Sequence, residues 1–123
     1  MPPTVLIVED EFLVRDMIVH EFTLAGFEVL QAGSAEEALA LLAQCRRLDL
    51  LFTDIRLPGM NGWRLAEQIR ARRVDVPVIY VSGYADRVEP LPLSRFLQKP
   101  YRPSQVLQAA AELGIKLPAH PSS

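Results

Sequence analysis

Two hydrophobic periods alternate along the chain. Val5-Leu6-Ile7-Val8 is an unbroken β-branched-rich run, as expected of a parallel strand covered on both faces. From Glu11 to Ala25 the apolar positions Val14, Ile18, Phe22 and Ala25 step by four, four and three, which predicts a helix stopping at Gly26. Phe27 to Leu30 predicts a second strand. Ser34-Ala35-Glu36-Glu37 has the Ser-x-x-Glu spacing of a capping box and opens a helix whose stripe is Ala38, Leu39 and Leu42. Leu50 to Thr53 is a third strand run. Asn61 stands where it can cap a helix with Leu65, Ala66 and Ile69 inward and Arg64, Arg70, Arg72 and Arg73 mostly outward, as a solvated face. Pro77 to Val81 predicts the fourth strand, with proline only at its first position, where the ladder tolerates it. Arg95 to Leu97 is a short fifth. Pro103 starts a last helix with Val106, Leu107, Ala110 and Leu113 inward and Gly114 beyond it.

Alternation of strand and helix predicts an α/β fold: a doubly wound, five-stranded parallel sheet with helices on both faces. A length of 123 residues fits one domain, expected over residues 1–116, and the Pro-rich end at 117–123 has the composition of a disordered tail. Half of the residues are hydrophobic and 23% charged, enough for an ordinary core. No apolar run reaches the roughly 18 residues of a membrane span, and Met1-Pro2-Pro3-Thr4 lacks the basic start of a signal peptide. The single Cys45 excludes an internal disulfide and fits a reducing compartment, so a cytoplasmic location is expected. A formal net charge of −2 favours neither nucleic acid nor an anionic membrane as partner. His20 and His120 lack companions for a metal site and are expected at the surface.

In such sheets the ligand site lies beyond the carboxyl ends of the strands. Glu9 and Asp10 follow strand one, Asp54 follows strand three, Ser82 and Gly83 follow strand four, and Lys99 and Pro100 follow strand five. Three carboxylates brought together repel one another unless a cation is present, and a hard divalent ion with oxygen ligands, Mg²⁺ or Mn²⁺, resolves the conflict. A carboxylate can attack phosphorus and carry the group covalently, while a metal, a lysine and a hydroxyl neutralise and orient its oxygens.

With these parts placed, the chain resembles the receiver domain of two-component response regulators from about Thr4 to Leu113. The resemblance is carried by "VED" at 8–10, "TDIRLPGMNG" at 53–62, "VSG" at 81–83 and "FLQKP" at 96–100, each at the end of the correct element. It implies the flavodoxin-like (βα)5 fold and a phosphoaccepting Asp54 supplied by a sensor histidine kinase or histidine phosphotransfer protein. It implies Mg²⁺ ligation by Asp10, Asp54 and the Arg56 backbone carbonyl, with Glu9 acting largely through water. Lys99 would pair with the phosphoryl group, and the Lys99–Pro100 bond would be cis. Ser82, beside Gly83, and Phe96 would form the switch pair, the ring turning inward as the hydroxyl moves toward the phosphoryl group. Phe96 stands where the family often has tyrosine, so it has no ring hydroxyl; it is expected first of all to pack as a core-facing strand residue. Tyr84, two past Ser82, is a gating candidate.

Residues 83 to 95 depart from the pattern. Only thirteen residues separate Ser82 from Phe96, and Pro90 and Pro92 interrupt them. Helix four is therefore expected to be reduced or absent, with residues 84 to 94 a mobile loop, as in a subset of stand-alone receivers and in receivers attached to kinases. With no output domain in the sequence, signalling is expected through contact with another protein, and no enzyme activity beyond self-catalysed phosphotransfer and dephosphorylation. The competing reading is a receiver-shaped docking module that works without phosphorylation. A flavin-binding fold would want a Gly/Ser/Thr-rich loop where Glu9-Asp10-Glu11 stands, and a haloacid-dehalogenase-like hydrolase would want a DxD pattern there.

Overall fold

The computed structural model describes residues 2–84 and 91–116. Five strands, β1 (Thr4–Val8), β2 (Glu28–Ala32), β3 (Leu50–Asp54), β4 (Val78–Ser82) and β5 (Ser94–Gln98), form one parallel sheet in the order β2-β1-β3-β4-β5. Four helices, α1 (Phe12–Leu24), α2 (Ala35–Gln44), α3 (Gly62–Arg72) and α4 (Pro103–Glu112), cover its two faces. This is the doubly wound flavodoxin-like fold. The order reverses at β1, whose neighbours are β2 on one side and β3 on the other, so the crevice of the switch point opens between the ends of β1 and β3.

Strand alternation divides the core in two. Leu6, Val8, Leu51, Val78 and Tyr80 pack under α2 and α3 against Ala38, Leu42, Leu65 and Ile69. Val5, Ile7, Leu50, Phe52, Ile79 and Val81 pack under α1 and α4 against Ile18, Phe22, Val106 and Ala110. β1, β3 and β4 are buried along their whole length, which is why they read as unbroken apolar runs. β5 is an edge strand with Arg95, Phe96 and Gln98 exposed.

The helix starts follow their predicted caps with one change. Ser34 Oγ accepts from the Glu37 N–H, but Glu37 Oε2 accepts from the N–H of Gly33, one residue earlier than a capping box requires. Asn61 Oδ1 accepts from the Arg64 N–H. Arg70 of α3 and Arg73, just past its end, are not a solvated face. Arg70 donates from Nε to the Val76 carbonyl at 2.7 Å and from Nη2 to the Leu93 carbonyl at 2.9 Å. Arg73 Nη2 donates to the carbonyls of Leu42, at 3.0 Å, and Cys45. Chain ends and loops leave backbone carbonyls unpaired, and a forked guanidinium on a nearby helix satisfies two at once.

Between β4 and β5 the described residues Gly83, Tyr84 and 91–93 lie in no helix, which fits a shortened fourth helix; the expectation of a mobile loop at 84–94 falls largely on 85–90, outside the described residues. The expected tail at 117–123 lies outside them too, as does His120. His20 is exposed. No helix among the described residues is long and apolar enough to cross a membrane.

Candidate functional site

Each strand end delivers a polar group to the same edge of the sheet. Glu9 follows β1 and is 1% exposed, while its neighbour Asp10 is exposed. Asp54 closes β3 and Ser82 closes β4, both buried. Carboxylate oxygens of Glu9, Asp10 and Asp54 lie within 4.8 Å of one another. Lys99, arriving from β5, bridges two of them: its Nζ donates to Glu9 Oε1 at 3.0 Å and to Asp54 Oδ2 at 2.8 Å. The remaining oxygens are also engaged. Glu9 Oε2 accepts from the Glu11 N–H at 3.2 Å, and Asp54 Oδ1 from the Arg56 N–H at 3.1 Å. Asp54 caps no helix among the described residues; there its carboxylate bonds the amide two residues on and the lysine.

Burial dominates Glu9 and raises its carboxyl above the ordinary value, against the pull of Lys99 and the Glu11 N–H. For Lys99 burial acts the other way, but the hydrogen bonds and charges of Asp54 and Glu9 outweigh it and hold the ammonium well above its usual range. The arrangement is one ammonium shared by two buried carboxyl groups, each of which favours the charged form of the lysine.

The backbone fixes this edge. The Lys99 N–H donates to the Ser82 carbonyl at 2.8 Å, and the Lys99–Pro100 peptide bond is cis. The Ile55 N–H donates to the Val81 carbonyl, and the Gly62 N–H to the Ile55 carbonyl at 2.8 Å. A Cβ on Gly62 would lie 2.2 Å from the Asp54 carbonyl oxygen, so only glycine lets α3 start this close to the end of β3.

On the other side Ser82 Oγ accepts from the Tyr84 N–H at 3.1 Å. Tyr84 is exposed, and the Arg56 guanidinium lies 3.8 Å above its ring, so the residues two past Asp54 and two past Ser82 meet across the mouth. Gly83 is exposed, with open space where a Cβ would stand. Phe96, opposite Tyr80 in the ladder, belongs to neither core cluster and is 38% exposed on the edge strand.

The matches agree with this geometry. The model of the response regulator receiver domain family matches residues 5–111. The chain belongs to that family. This receiver is 33% identical over 122 residues to the transcriptional regulatory protein AruR of Pseudomonas aeruginosa, covering 92% of this chain and 50% of AruR. It is 34% identical over 116 residues to the sensor kinase CckA of Brucella abortus, covering 89% of this chain and 12% of the kinase. It thus spans half or less of these relatives. Among solved structures, the receiver domain from the hybrid histidine kinase CckA matches with a TM-score of 0.79 and 31% identity, covering 89% of this chain and 97% of that one. A response regulator receiver protein from Sinorhizobium medicae matches with a TM-score of 0.82 and 28% identity, covering 91% and 94%.

Three features of the receiver's site escape a reading of residue order. Lys99 holds two carboxylates at rest, Arg56 stacks on Tyr84, and Arg15 reaches the Glu9 carbonyl. Each is a contact between residues of unremarkable spacing, and only the closing of the sheet brings them together.

Proposed function

We propose that this receiver is a phosphoaccepting switch: Asp54 takes a phosphoryl group from a phosphohistidine of a sensor histidine kinase or histidine phosphotransfer protein, with Mg²⁺ or Mn²⁺, and the signal leaves by protein contact. The observation that carries this is Asp54 itself, a buried strand-end carboxylate held by Lys99 Nζ at 2.8 Å inside a cluster of three acids. The three carboxylates offer hard oxygen donors close together, and Asp10 is open to water, which suits an ion that keeps several waters. Glu9, Asp10, Asp54 and the Arg56 carbonyl would hold it, and when bound it supplies positive charge at the phosphoryl oxygens.

The chain's own residues do the rest. An Asp54 oxygen attacks phosphorus, forming the P–O bond as the P–N bond to the donor imidazole breaks and its electron pair leaves with the ring nitrogen. Lys99 then moves its hydrogen bond from Asp54 to a phosphoryl oxygen, keeping its contact to Glu9. The Ser82 hydroxyl, which accepts from the Tyr84 N–H, would turn its proton toward another phosphoryl oxygen. Movement of Ser82 opens room toward Phe96, which stands outside the core at rest and has burial to gain by turning in. Tyr84 and Arg56, stacked over the mouth, gate access to Asp54.

A donor imidazole must come within bonding distance of phosphorus on Asp54, so its carrier must cover the rim beside Lys99. That rim is apolar. Phe12, Leu13 and Met17 are exposed on α1, and a groove of about 450 Å³ runs from Met17, Ile18 and Phe22 to Pro100, Tyr101 and Val106. Such a surface suits an amphipathic helix presenting the phosphohistidine.

The test is an intact mass taken directly after incubation with Mg²⁺ and acetyl phosphate, beside Asp54→Asn. One acid-labile phosphoryl group on the wild type and none on the variant is the expected result. No gain on a protein that still binds Mg²⁺ sends the experiment to a phosphorylated histidine donor. No gain and no Mg²⁺ binding puts the phosphorylation-independent docking module first.

A further inference from the structure

Arg15 lies outside the site, on the first turns of α1, yet it touches the backbone that carries the acids. Its Nη1 donates to the Glu9 carbonyl at 2.9 Å and its Nε to Gln31 Oε1 at 3.1 Å. The guanidinium also fills the space over Gly33, where a Cβ would stand 3.0 Å from Nη1. On its other side the Glu9 N–H donates to the Ala32 carbonyl at 3.1 Å. Both backbone groups of Glu9 are thus tied to the end of β2, directly at N–H and through Arg15 at the carbonyl.

The carbonyl that Arg15 holds belongs to the Glu9–Asp10 peptide. A peptide is planar, so fixing that oxygen fixes the Asp10 nitrogen and the direction in which Asp10 leaves Glu9. Asp10 is exposed, its side chain meets the carboxyl of Glu9, and among the described residues no backbone group bonds its carboxylate, so the Glu9–Asp10 peptide sets where that carboxylate starts. We infer that Arg15 is a positioning residue for divalent-cation binding: it sets the Glu9–Asp10 peptide so that both carboxylates converge on Asp54. This inference rests on the acidic cluster being a cation site.

Charge and position give opposite signs. A guanidinium this close repels a second cation, so its removal by electrostatics alone tightens Mg²⁺ binding. If Arg15 acts by holding the peptide, its removal weakens binding, by about tenfold for an outer-shell partner of this kind.

The experiment is calorimetric titration of the 123-residue protein with Mg²⁺, repeated with Mn²⁺, for wild type, Arg15→Gln, Arg15→Lys and Gly33→Ala, with a thermal melt of each. Arg15→Gln is expected to raise the Kd about tenfold. Arg15→Lys keeps the charge but not the fork, and should fall between. Gly33→Ala keeps the arginine and pushes its Nη1 aside, so a smaller loss in the same direction is expected. Equal or tighter binding by Arg15→Gln overturns the inference, as does a lowered Tm with unchanged Kd, which would make Arg15 a brace of α1 on β2 alone. Wild type that binds neither ion overturns the cation-site reading and this inference with it.

Discussion

The acidic cluster with its lysine and the edge strand β5 are built differently. At the ends of β1 and β3 every carboxylate oxygen of Glu9 and Asp54 has a donor, and Glu9 is tied at N–H and carbonyl as well. Along edge strand β5, before it reaches Lys99, the chain is held more loosely. Phe96 is on an edge strand and partly in solvent, and the chain enters β5 through Leu93, whose φ of 55° is left-handed for a residue with a branched side chain. The difference teaches where rigidity is needed. Phosphoryl transfer depends on position and preset charge, which tolerate no slack. A response depends on a part with two arrangements of similar energy, which full packing would forbid.

The largest effect expected from breaking the rigid half is at Lys99. Lys99→Met leaves the Glu9 and Asp54 carboxylates facing each other without their shared cation, and should slow phosphorylation by acetyl phosphate about 100-fold or more, as loss of a preset charge at a reacting centre does. A rate within a few fold of wild type would mean that the lysine is only a structural counter-ion. Gly62→Ala comes next. Its methyl meets the Asp54 carbonyl oxygen at 2.2 Å, so α3 must back away from β3, and urea unfolding should show a loss of about 3 kcal/mol.

The loose half should give less. Phe96→Ala is expected to cost about 1 kcal/mol, against about 4 for Phe22→Ala in the core beneath α1. Equal losses would erase the contrast and show Phe96 packed in solution. The smallest change is a gain. Tyr80 is fully buried, and its hydroxyl has no hydrogen-bond partner among the described residues. Tyr80→Phe keeps the ring against Trp63 and should raise stability by about 1 kcal/mol. The same variant sharpens an alkaline measurement. Burial pushes the Tyr80 hydroxyl up to about 12 from an ordinary 10.0, so above pH 10 the unfolded chain loses this proton first. Stability therefore falls with rising pH in that window, by at most about 1.4 kcal/mol per unit for one proton, and more shallowly in Tyr80→Phe.

The fold was legible because the buried strands and striped helices each announce a period. β1, β3 and β4 are buried throughout and carry apolar runs, and the α2 and α3 caps sit at Ser34 and Asn61 as their residue types suggest. The site's membership was legible for a related reason: a strand that ends in a carboxylate or a lysine breaks its own pattern. What stayed hidden depends on partners distant in sequence. Nothing near Arg70 or Arg73 shows that their guanidinium groups reach carbonyls of other segments, since a surface arginine and a bridging one look alike in a helical stripe. Phe96 misled for the opposite reason. An aromatic in a strand reads as core, but β5 lies at the sheet's edge, and edge position is a property of strand order rather than of the strand.

The lysine that spans Glu9 and Asp54 also bears on how the molecule comes into being. Small metal-dependent domains often wait for their ion before they can fold, because the ligands repel in its absence. Here the chain brings its own counter-ion, delivered from the end of β5. Folding can then run to completion without an ion, and on the proposed reading ion and phosphoryl donor would arrive as exchangeable visitors at a finished site, their traffic uncoupled from the lifetime of the protein.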